Sequence, residues 1–540
     1  MIRFCNLIII CFFSVCLPAC NNNENEADPY IKIPPNKIDT IENNQILNTG
    51  IVHQKGFKLE KLNVIKNDIL NPEERILVST LQGLVAKSSS EQIYIDEGGP
   101  SSVWKEYMIS SYNIEYRNYN SLDELIRYYK NKNIVKGYIL YDRKNERSLT
   151  AATALCGPVS AIAVDKSIEQ EAIKRGVDKK LFDVSDKTEK WVYENFPSAF
   201  TKKNVAELSF ELNQHLRDYI ALTNCFVFYD GITKWRTSVL KRLDEGAYCF
   251  GYGVDEFNMV ADASAQGVST LPAEAPNLSA LSSIYDTEGL KQRPPANDVI
   301  TEDNAHYVTF LISDGDNIAY NLWSQHSYFS HPLRGSIPIG HTISPSLYDL
   351  APVALRWYYE NASENDYFVC GPSGSSYIFP SRMPADKMDK YLDKLDKYAD
   401  ATGLTICNIL DQGAINRMDI WNKYLSKPNI DALIYTGYGE APRGSIQFST
   451  NGKPVIEQRD NLWSGLEEED TLIKNINSRP ANPYSTDGYT LVFVHVWTKD
   501  MKNIKTVIDK LNPNVHVVTP DVFVKLVQKN LGKQAIKMNN

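Results

Sequence analysis

The 540-residue sequence has no excess of positive charge and almost no long apolar segments. It contains 57 Lys and Arg against 66 Asp and Glu, which gives a formal net charge of −9 and a pI near 5.6. Nucleic-acid binding needs a basic face, so we expect no nucleic-acid partner. Beyond the first twenty residues, no stretch is long and apolar enough for a transmembrane helix.

The sequence also lacks paired cysteines and nucleotide-binding motifs. Cys5, Cys11 and Cys16 fall in the apolar leader. The cysteines that follow Cys20 are odd in number, widely spaced and set mostly in apolar runs, which predicts small buried side chains and neither a disulfide framework nor a zinc site. They are Cys156, Cys225, Cys249, Cys370 and Cys407. No phosphate loop or dinucleotide fingerprint follows a predicted strand, and we predict no cofactor.

The first residues are typical of an export signal. Arg3 precedes the apolar run 7–13, and the sequence Leu-Pro-Ala-Cys ending at Cys20 looks like the lipobox of bacterial lipoproteins. We therefore predict a signal peptide over 1–19, acylation of Cys20, a flexible tether over 20–50 and a lipoprotein anchored in the cell envelope, at the outer membrane. An ordinary secretory peptide with an incidental cysteine is the alternative.

Residues 51–290 alternate apolar runs with helical patterns. Such alternation predicts an α/β domain with a mainly parallel sheet, smaller than the domain that follows. The predicted strands are 93–95, 137–141, 161–164, 225–229 and 247–251. A polar, Pro-containing stretch over 286–304 marks the boundary with the next domain.

Residues 300–530 repeat strand and helix more regularly. Eight strands with crossover helices predict a (β/α)8-like barrel. Several crossovers look too short for a full helix, so a distorted or seven-stranded barrel is the alternative. The predicted strands are 307–313, 336–343, 367–370, 405–410, 432–436, 454–458, 490–497 and 515–518.

Polar residues follow most of these strands, beginning with Asp314-Gly315-Asp316-Asn317. Because the carboxyl ends of barrel strands meet at one mouth, we expect these side chains to converge. Carboxylates suit proton transfer, Asn and Arg bind hydroxyls, and aromatic rings stack on sugars. The expected substrate-binding residues are Asn317, Tyr377, Asp411, Tyr438, Arg459, His495 and Trp497.

Three of the carboxylates are candidates for catalysis. We predict Asp316 and Glu440 as the acid/base pair, with Asp314 orienting or tuning them. A structural interpretation stands beside each candidate: the Asp-Gly turn can cap a helix, and Glu440 can be an exposed loop residue. His495 can likewise be a core histidine, and Trp497 can simply pack.

The loop after the third barrel strand resembles the motif that names the GxGYxYP family, a family proposed to be glycoside hydrolases. Gly374, Tyr377 and Pro380 match the motif, whereas Ser376 replaces its second Gly and Phe379 its second Tyr. Other similar segments bring the resemblance to about residues 55–525. They are 313–317, 453–456, 72–74 and 81–85.

This resemblance implies a glycoside hydrolase acting on oligo- or polysaccharide, but it transfers no catalytic residue. Carbohydrate and the membrane are the expected partners, together with other glycan-processing proteins of the envelope. One alternative is a metal-dependent carbohydrate deacetylase, since Asp314-Gly315-Asp316 resembles the acidic first motif of barrel deacetylases. No His-x-x-x-His follows, and we predict no metal; if one binds, Asp314 and Asp316 hold it. A glycan-binding lipoprotein without turnover is the other alternative.

Overall fold

The computed structural model describes residues 33, 35 and 52–538, the last six of these by backbone alone. The predicted signal peptide, Cys20 and nearly all of the tether lie outside these residues. No helix in the described part of the chain is long and apolar enough to cross a membrane. The five cysteines that follow Cys20 are all unpaired and buried, which confirms their predicted role as small core residues.

The first half of the described chain contains ten strands in three small sheets. The strands are β1 (Lys61–Lys66), β2 (Glu91–Asp96), β3 (Glu115–Tyr119), β4 (Gly137–Tyr141), β5 (Ala161–Asp165), β6 (Lys180–Asp183), β7 (Asn204–Glu207), β8 (Phe226–Phe228), β9 (Tyr248–Gly251) and β10 (Ser269–Leu271). The sheet orders are β2-β1-β3, β5-β4-β6 and β10-β9-β7-β8. All pairings are parallel.

The parallel pairing is as predicted, but the single sheet is not. The five predicted strands are present as β2, β4, β5, β8 and β9, and they fall on different sheets. The other strands carry a weaker apolar signal because some lie largely in solvent. Four of the five residues of β3 are exposed, so no buried run marks that strand.

Helices cover these sheets. The helix Pro72–Ala86 begins with a capping box, in which Asn71 and Glu74 satisfy each other's backbone N–H groups, and Pro72 fits its first turn. It packs against β5 and the helix Arg217–Thr223. The remaining helices are Pro100–Ser111, Leu122–Lys130, Glu146–Val159, Glu169–Lys174, Glu189–Asn195, Lys234–Leu240, Glu256–Ala265 and Leu278–Ser282, with 3-10 turns at Asn67–Ile69, Lys166–Ile168 and Pro197–Ala199.

The second half folds around one large curled sheet. Its strands are β11 (His306–Ile312), β12 (Ile339–Ile343), β13 (Asp366–Cys370), β14 (Ile406–Asp411), β15 (Ala432–Gly437), β16 (Ile446–Phe448), β17 (Pro454–Glu457), β18 (Asp460–Leu462), β19 (Tyr489–Val494) and β20 (Val515–Val517). The order is β16-β17-β15-β14-β13-β12-β11-β19-β18, and β20 pairs with β11. Among the described strands only β16 and β17 pair in antiparallel fashion.

All eight predicted strands are present, but a regular eight-stranded barrel is not. β19 pairs along one edge of β11, so β20 and β12 share its other edge. The eighth strand therefore does not stand between the seventh and the first. β17 pairs with β15 while β18 pairs with β19, and two residues join β17 to β18. Gln458 N–H donates to Tyr435 O and Arg459 N–H to Leu491 O, both at 2.9 Å, so this link ties the two ends of the curl together.

Helices pack on both faces of the curled sheet, and the final helix lies on the face opposite to Glu469–Asn477 and Met501–Ile508. The helix Ala385–Thr402 ends at Gly403, which has φ 75°. The final helix, Pro520–Met538, contacts β11, β13 and β17. The others are Ile318–Leu322, Ser324–Phe329, Leu347–Leu350, Pro352–Glu360, Met418–Leu425, Glu469–Asn477 and Met501–Ile508, with 3-10 turns at Pro380–Arg382 and Thr486–Gly488.

Candidate active site

The turn after β11 is packed directly onto the ends of β12 and β13. Asp314 has φ 73°, in the left-handed region that Asp tolerates better than most residues. A Cβ on Gly315 would lie 2.2 Å from the backbone carbon of Thr342, and one on Gly371 would lie 2.7 Å from the backbone nitrogen of Asp316. Gly315 and Gly371 therefore both require glycine. The turn after β11 lies directly against the start of the loop that follows β13.

Asp314 and Asp316 are partly buried carboxylates without a cationic partner. Neither forms an ion pair with a described residue. Burial raises the pKa of Asp314, while hydrogen bonds from Ser313 and Trp497 oppose the rise. Burial raises the pKa of Asp316 well above its ordinary value, and the charges of Asp314 and Glu256 raise it further. Asp316 therefore favours its protonated form.

Glu256 joins this pair from the first half of the chain. It lies in the first turn of the helix Glu256–Ala265. The hydroxyl of Tyr252 donates to its Oε2 at 2.6 Å, and that of Tyr377 donates to its Oε1 at 3.0 Å. Sequence analysis missed Glu256, because Asp255-Glu256 looks like an ordinary acidic helix start, with Asp255 capping the helix through Asn258 N–H.

The loop that carries the family-like motif fastens the two halves of the chain together. Tyr377 exchanges two backbone hydrogen bonds with Thr270, at 2.9 and 3.0 Å, and Phe379 N–H donates to Ser264 Oγ at 3.0 Å. Tyr377 is 2 % exposed. Its hydroxyl donates to Glu256, and its role in substrate binding stays a prediction. The Phe379 ring is buried against Phe257 and Tyr438. The tyrosine that the family motif has at this position would therefore place its hydroxyl in a buried, aromatic environment.

Two further predicted residues lie beside Asp314. Trp497 Nε1–H donates to Asp314 Oδ2, and the indole packs edge-on against Tyr320 at 5.7 Å. Asn317 caps the helix Ile318–Leu322 by accepting from Tyr320 N–H at 3.0 Å. The segment 314–317 therefore provides both the helix cap of the structural interpretation and the carboxylates of the functional one.

Asp411 and Tyr438 support the site from the next two strands. Asp411 is fully buried and accepts from Ser381 N–H, Ser381 Oγ–H and Gln412 N–H, each at 2.7 Å. Its oxygens thus hold the turn Pro380–Arg382, and its role in substrate binding stays a prediction. Tyr438 is partly buried, stacks near Phe257 and has its pKa raised to about 12 by burial.

Glu440 and Arg459 do not join the cluster. Glu440 accepts from Gly413 N–H and is not among the carboxylates whose charges raise the pKa of Asp316. Arg459 lies in the link between β17 and β18, where it donates to Gly444 O at 2.8 Å and pairs with Asp487 at 3.3 Å. The sequence suggested a strand end there, but the chain continues as β18, so Arg459 is not at the C-terminal edge of the sheet.

His495 follows β19 and stacks on Trp463, with ring centroids 3.7 Å apart. Its Nδ1 lies 2.9 Å from Thr498 Oγ1. Burial lowers its pKa to about 4, so the ring is neutral at physiological pH. In the described chain His495 therefore contacts Trp463 and Thr498, and it makes no contact with Asp314 or Asp316.

Within the described residues, no group of three or more His, Cys, Asp or Glu side chains is arranged to hold a metal ion. Tyrosine hydroxyls instead donate to Glu256, and the indole of Trp497 donates to Asp314. An ionised carboxylate beside a protonated one can stabilise developing positive charge while the other donates a proton.

Fold and site together define an α/β protein with unpaired carboxylates at the C-terminal edge of a curled parallel sheet. Family profiles match nearly the whole described chain. Residues 304–528 match the "GxGYxYP putative glycoside hydrolase C-terminal domain". The first, second and third N-terminal domains of the same family match residues 61–131, 135–200 and 202–283. The chain belongs to the GxGYxYP family.

A solved structure is also similar. It is described as "a putative hydrolase from Bacteroides thetaiotaomicron VPI-5482" and is 54 % identical, with a TM-score of 0.87. The match covers 89 % of this chain and 96 % of that one. No curated protein matches the sequence.

Proposed function

We propose that this protein hydrolyses glycosidic bonds in oligo- or polysaccharides, with Asp316 as general acid and Glu256 as the paired carboxylate. The observation that carries the proposal is the contrast between these two groups. Asp316 is partly buried next to two like charges, which raises its pKa, whereas two tyrosine hydroxyls donate to Glu256. Glycoside hydrolysis requires two carboxyl groups, one of which can donate a proton to the leaving oxygen.

Each group then has a defined task. Asp316 donates its proton to the glycosidic oxygen as the bond to the anomeric carbon breaks. Glu256 faces the positive charge that develops on the sugar, and it either attacks the anomeric carbon or activates a water. Asp314 accepts a hydrogen bond from Trp497 Nε1–H, and its charge raises the pKa of Asp316, which helps Asp316 retain its proton. Glu256 takes the place that the sequence suggested for Glu440.

The test is turnover of a panel of aryl glycosides and plant and host glycans by the wild type, Asp316→Asn and Glu256→Gln. We expect each substitution to lower kcat by about 10²–10⁴-fold, the usual contribution of a general acid or base. For Asp316→Asn, substrates with good leaving groups should be affected less, because they need little protonation.

Glu440→Gln is the matched control. It removes a carboxylate at a neighbouring strand end whose hydrogen bond is to the Gly413 N–H group. We expect nearly wild-type kcat from it. Wild-type turnover in both Asp316→Asn and Glu256→Gln would refute the assignment, and loss of turnover in Glu440→Gln alone would restore Glu440 as the second carboxylate. Turnover abolished by a chelator and restored by zinc would favour the deacetylase-like alternative.

We also propose that the protein is a lipid-anchored envelope protein acylated at Cys20. The support is the sequence Leu-Pro-Ala-Cys after an apolar run. Labelling with radioactive palmitate in a bacterial host should mark the wild type and leave Cys20→Ser unmarked. Equal labelling of both chains would refute the anchor.

A further inference from the structure

A pocket of about 250 Å³ lies beside the candidate active site. Three parts of the chain line it: β2 with the helix Pro100–Ser111, the segment 274–281, and the residues that follow Asp316 together with Trp497. Trp497 and Asn317 link it to the Asp314 turn. On the opposite side, Glu274 Oε1 accepts from Tyr252 N–H at 3.3 Å, and the hydroxyl of Tyr252 binds Glu256. The pocket therefore adjoins the carboxylates.

Exposed tryptophan is concentrated at this pocket. The chain has eight tryptophans, all within the described residues. Only Trp323 and Trp497 are exposed, at 41 % and 55 %, and both line the pocket. Leaving an indole face in water is unfavourable, so two exposed indoles around one small cavity indicate a binding surface.

The pocket also presents polar groups with unused hydrogen-bonding capacity. The side-chain oxygen of Asn317 accepts from Tyr320 N–H, and its amide NH₂ donates to no described residue. Glu274 uses one oxygen for Tyr252 N–H, and its other oxygen accepts no hydrogen bond from the described chain. Burial raises the pKa of Glu274. A donor and an acceptor flanked by indole rings match a pyranose, which has apolar C–H faces and equatorial hydroxyls.

We propose that this pocket binds a single terminal pyranosyl residue against the indole rings of Trp323 and Trp497, with its glycosidic oxygen directed toward Asp316 and Glu256. The buried side chains of Tyr94 and Trp104 close the inner end, so the pocket takes one ring and the chain extends outward. This inference rests on the proposed function for its orientation. It adds that cleavage occurs at a chain end and releases a monosaccharide.

The test separates the pocket from the catalysis by measuring binding of sugars that cannot be hydrolysed. The wild-type protein is titrated with glucose, galactose, mannose, xylose, rhamnose, fucose and N-acetylglucosamine, and binding is followed by saturation-transfer NMR. We expect at least one to bind. Trp323→Ala should weaken that binding about tenfold, because it removes a stacking face and touches neither Asp314 nor Asp316.

A second pocket variant and a control variant complete the test. Glu274→Gln retains the shape of the side chain and should weaken the same sugar, whereas Tyr116→Ala, which removes an exposed ring outside the pocket, should not. If none of the seven sugars binds, or if binding is unchanged in both Trp323→Ala and Glu274→Gln, the proposal that this pocket binds a pyranose is refuted, even if the enzyme is active. If a sugar binds tightly but no glycoside is hydrolysed, the proposed sugar site is supported and the proposed catalysis is refuted. Release of oligosaccharides alone from a polymer would contradict the terminal position.

Discussion

Acidic side chains at the two ends of the curled sheet differ in whether they have cationic partners. At the N-terminal end, Asp366 begins β13 and binds Arg334 and His341, both at 2.9 Å. Asp460 begins β18 and binds Arg479 through two guanidinium nitrogens. At the C-terminal end, Asp314 and Asp316 have no cation beside them in the described chain.

The difference shows in the pKa values. Burial alone would raise the pKa of Asp366, but hydrogen bonds from His341 and Ser363 lower it below its ordinary range. For Asp316 burial and like charge act in the same direction, and the pKa rises. Paired acids at one end stabilise the fold, whereas unpaired acids at the other are held at a cost in stability, as is usual for active sites.

The largest effect should come from breaking a pair at the N-terminal end. Asp366→Ala leaves Arg334 and His341 without their acceptor, and we expect a loss of about 3–5 kcal/mol in the free energy of unfolding, measured by urea denaturation. The lowered pKa means that this stabilisation is present above the ordinary pKa of Asp and is lost as pH falls through the folded-state value. Asp400→Ala, which removes an exposed partner of Lys291, should cost under about 0.5 kcal/mol. Equal losses in the two variants would contradict the comparison.

At the other end, Trp497→Phe keeps an aromatic ring but removes the N–H that binds Asp314. The hydrogen bond lowers the pKa of Asp314 against the effect of burial, so its loss should raise that pKa. We expect kcat to fall about tenfold, equivalent to about 1.4 kcal/mol. The acidic limb of the pH–rate profile should move to higher pH. An unchanged profile would mean that Asp314 does not act in its ionised form.

Asp316→Asn should stabilise the protein. A raised pKa means that the folded state is most favoured below the unfolded-state pKa and loses this contribution as pH rises through the folded-state value. Asn does not ionise, so at neutral pH the variant should gain about 1 kcal/mol over the wild type. The gain should vanish below about pH 4, where both chains are neutral at this position. A loss of stability at neutral pH would show that the Asp316 charge is compensated.

The smallest effect concerns His495. With a pKa near 4, its imidazole should stay neutral when followed by proton NMR from neutral pH down to about pH 5. Trp463→Ala removes the ring that covers it, and the pKa should then rise toward about 6.5. A wild-type titration near 6.5 would show that the ring is solvated and free for another role.

Sequence reasoning located one side of the candidate site and missed the other. The Asp314 turn was found because a buried apolar run ends in polar residues, and the strands of the curled sheet were found for the same reason. Glu256 was missed because its helix start resembles any capped helix, and nothing local shows that it faces a strand end sixty residues later. The loop with Tyr377 was recognised as a motif. That it joins the two halves of the chain could not be predicted, because the sequence does not show that Thr270 lies beside Tyr377.

Two other errors have local causes. Arg459 looked like the end of a strand because the two-residue link interrupts the apolar run, while the backbone continues as β18. The first half looked like one sheet because strand partners cannot be inferred from apolar runs alone, and the exposed strand β3 left no such run.

The central claim is that burial, together with the charges of Asp314 and Glu256, raises the pKa of Asp316 and so favours its protonated form. Infrared difference spectroscopy measures this directly through the C=O stretch of a protonated carboxylic acid. At neutral pH the wild type should show a band that is absent in Asp316→Asn. In Glu256→Gln, where one negative charge is removed, the same band should titrate at lower pH. A wild-type spectrum without this band at neutral pH, with Asp316 ionising near pH 4, would contradict the account.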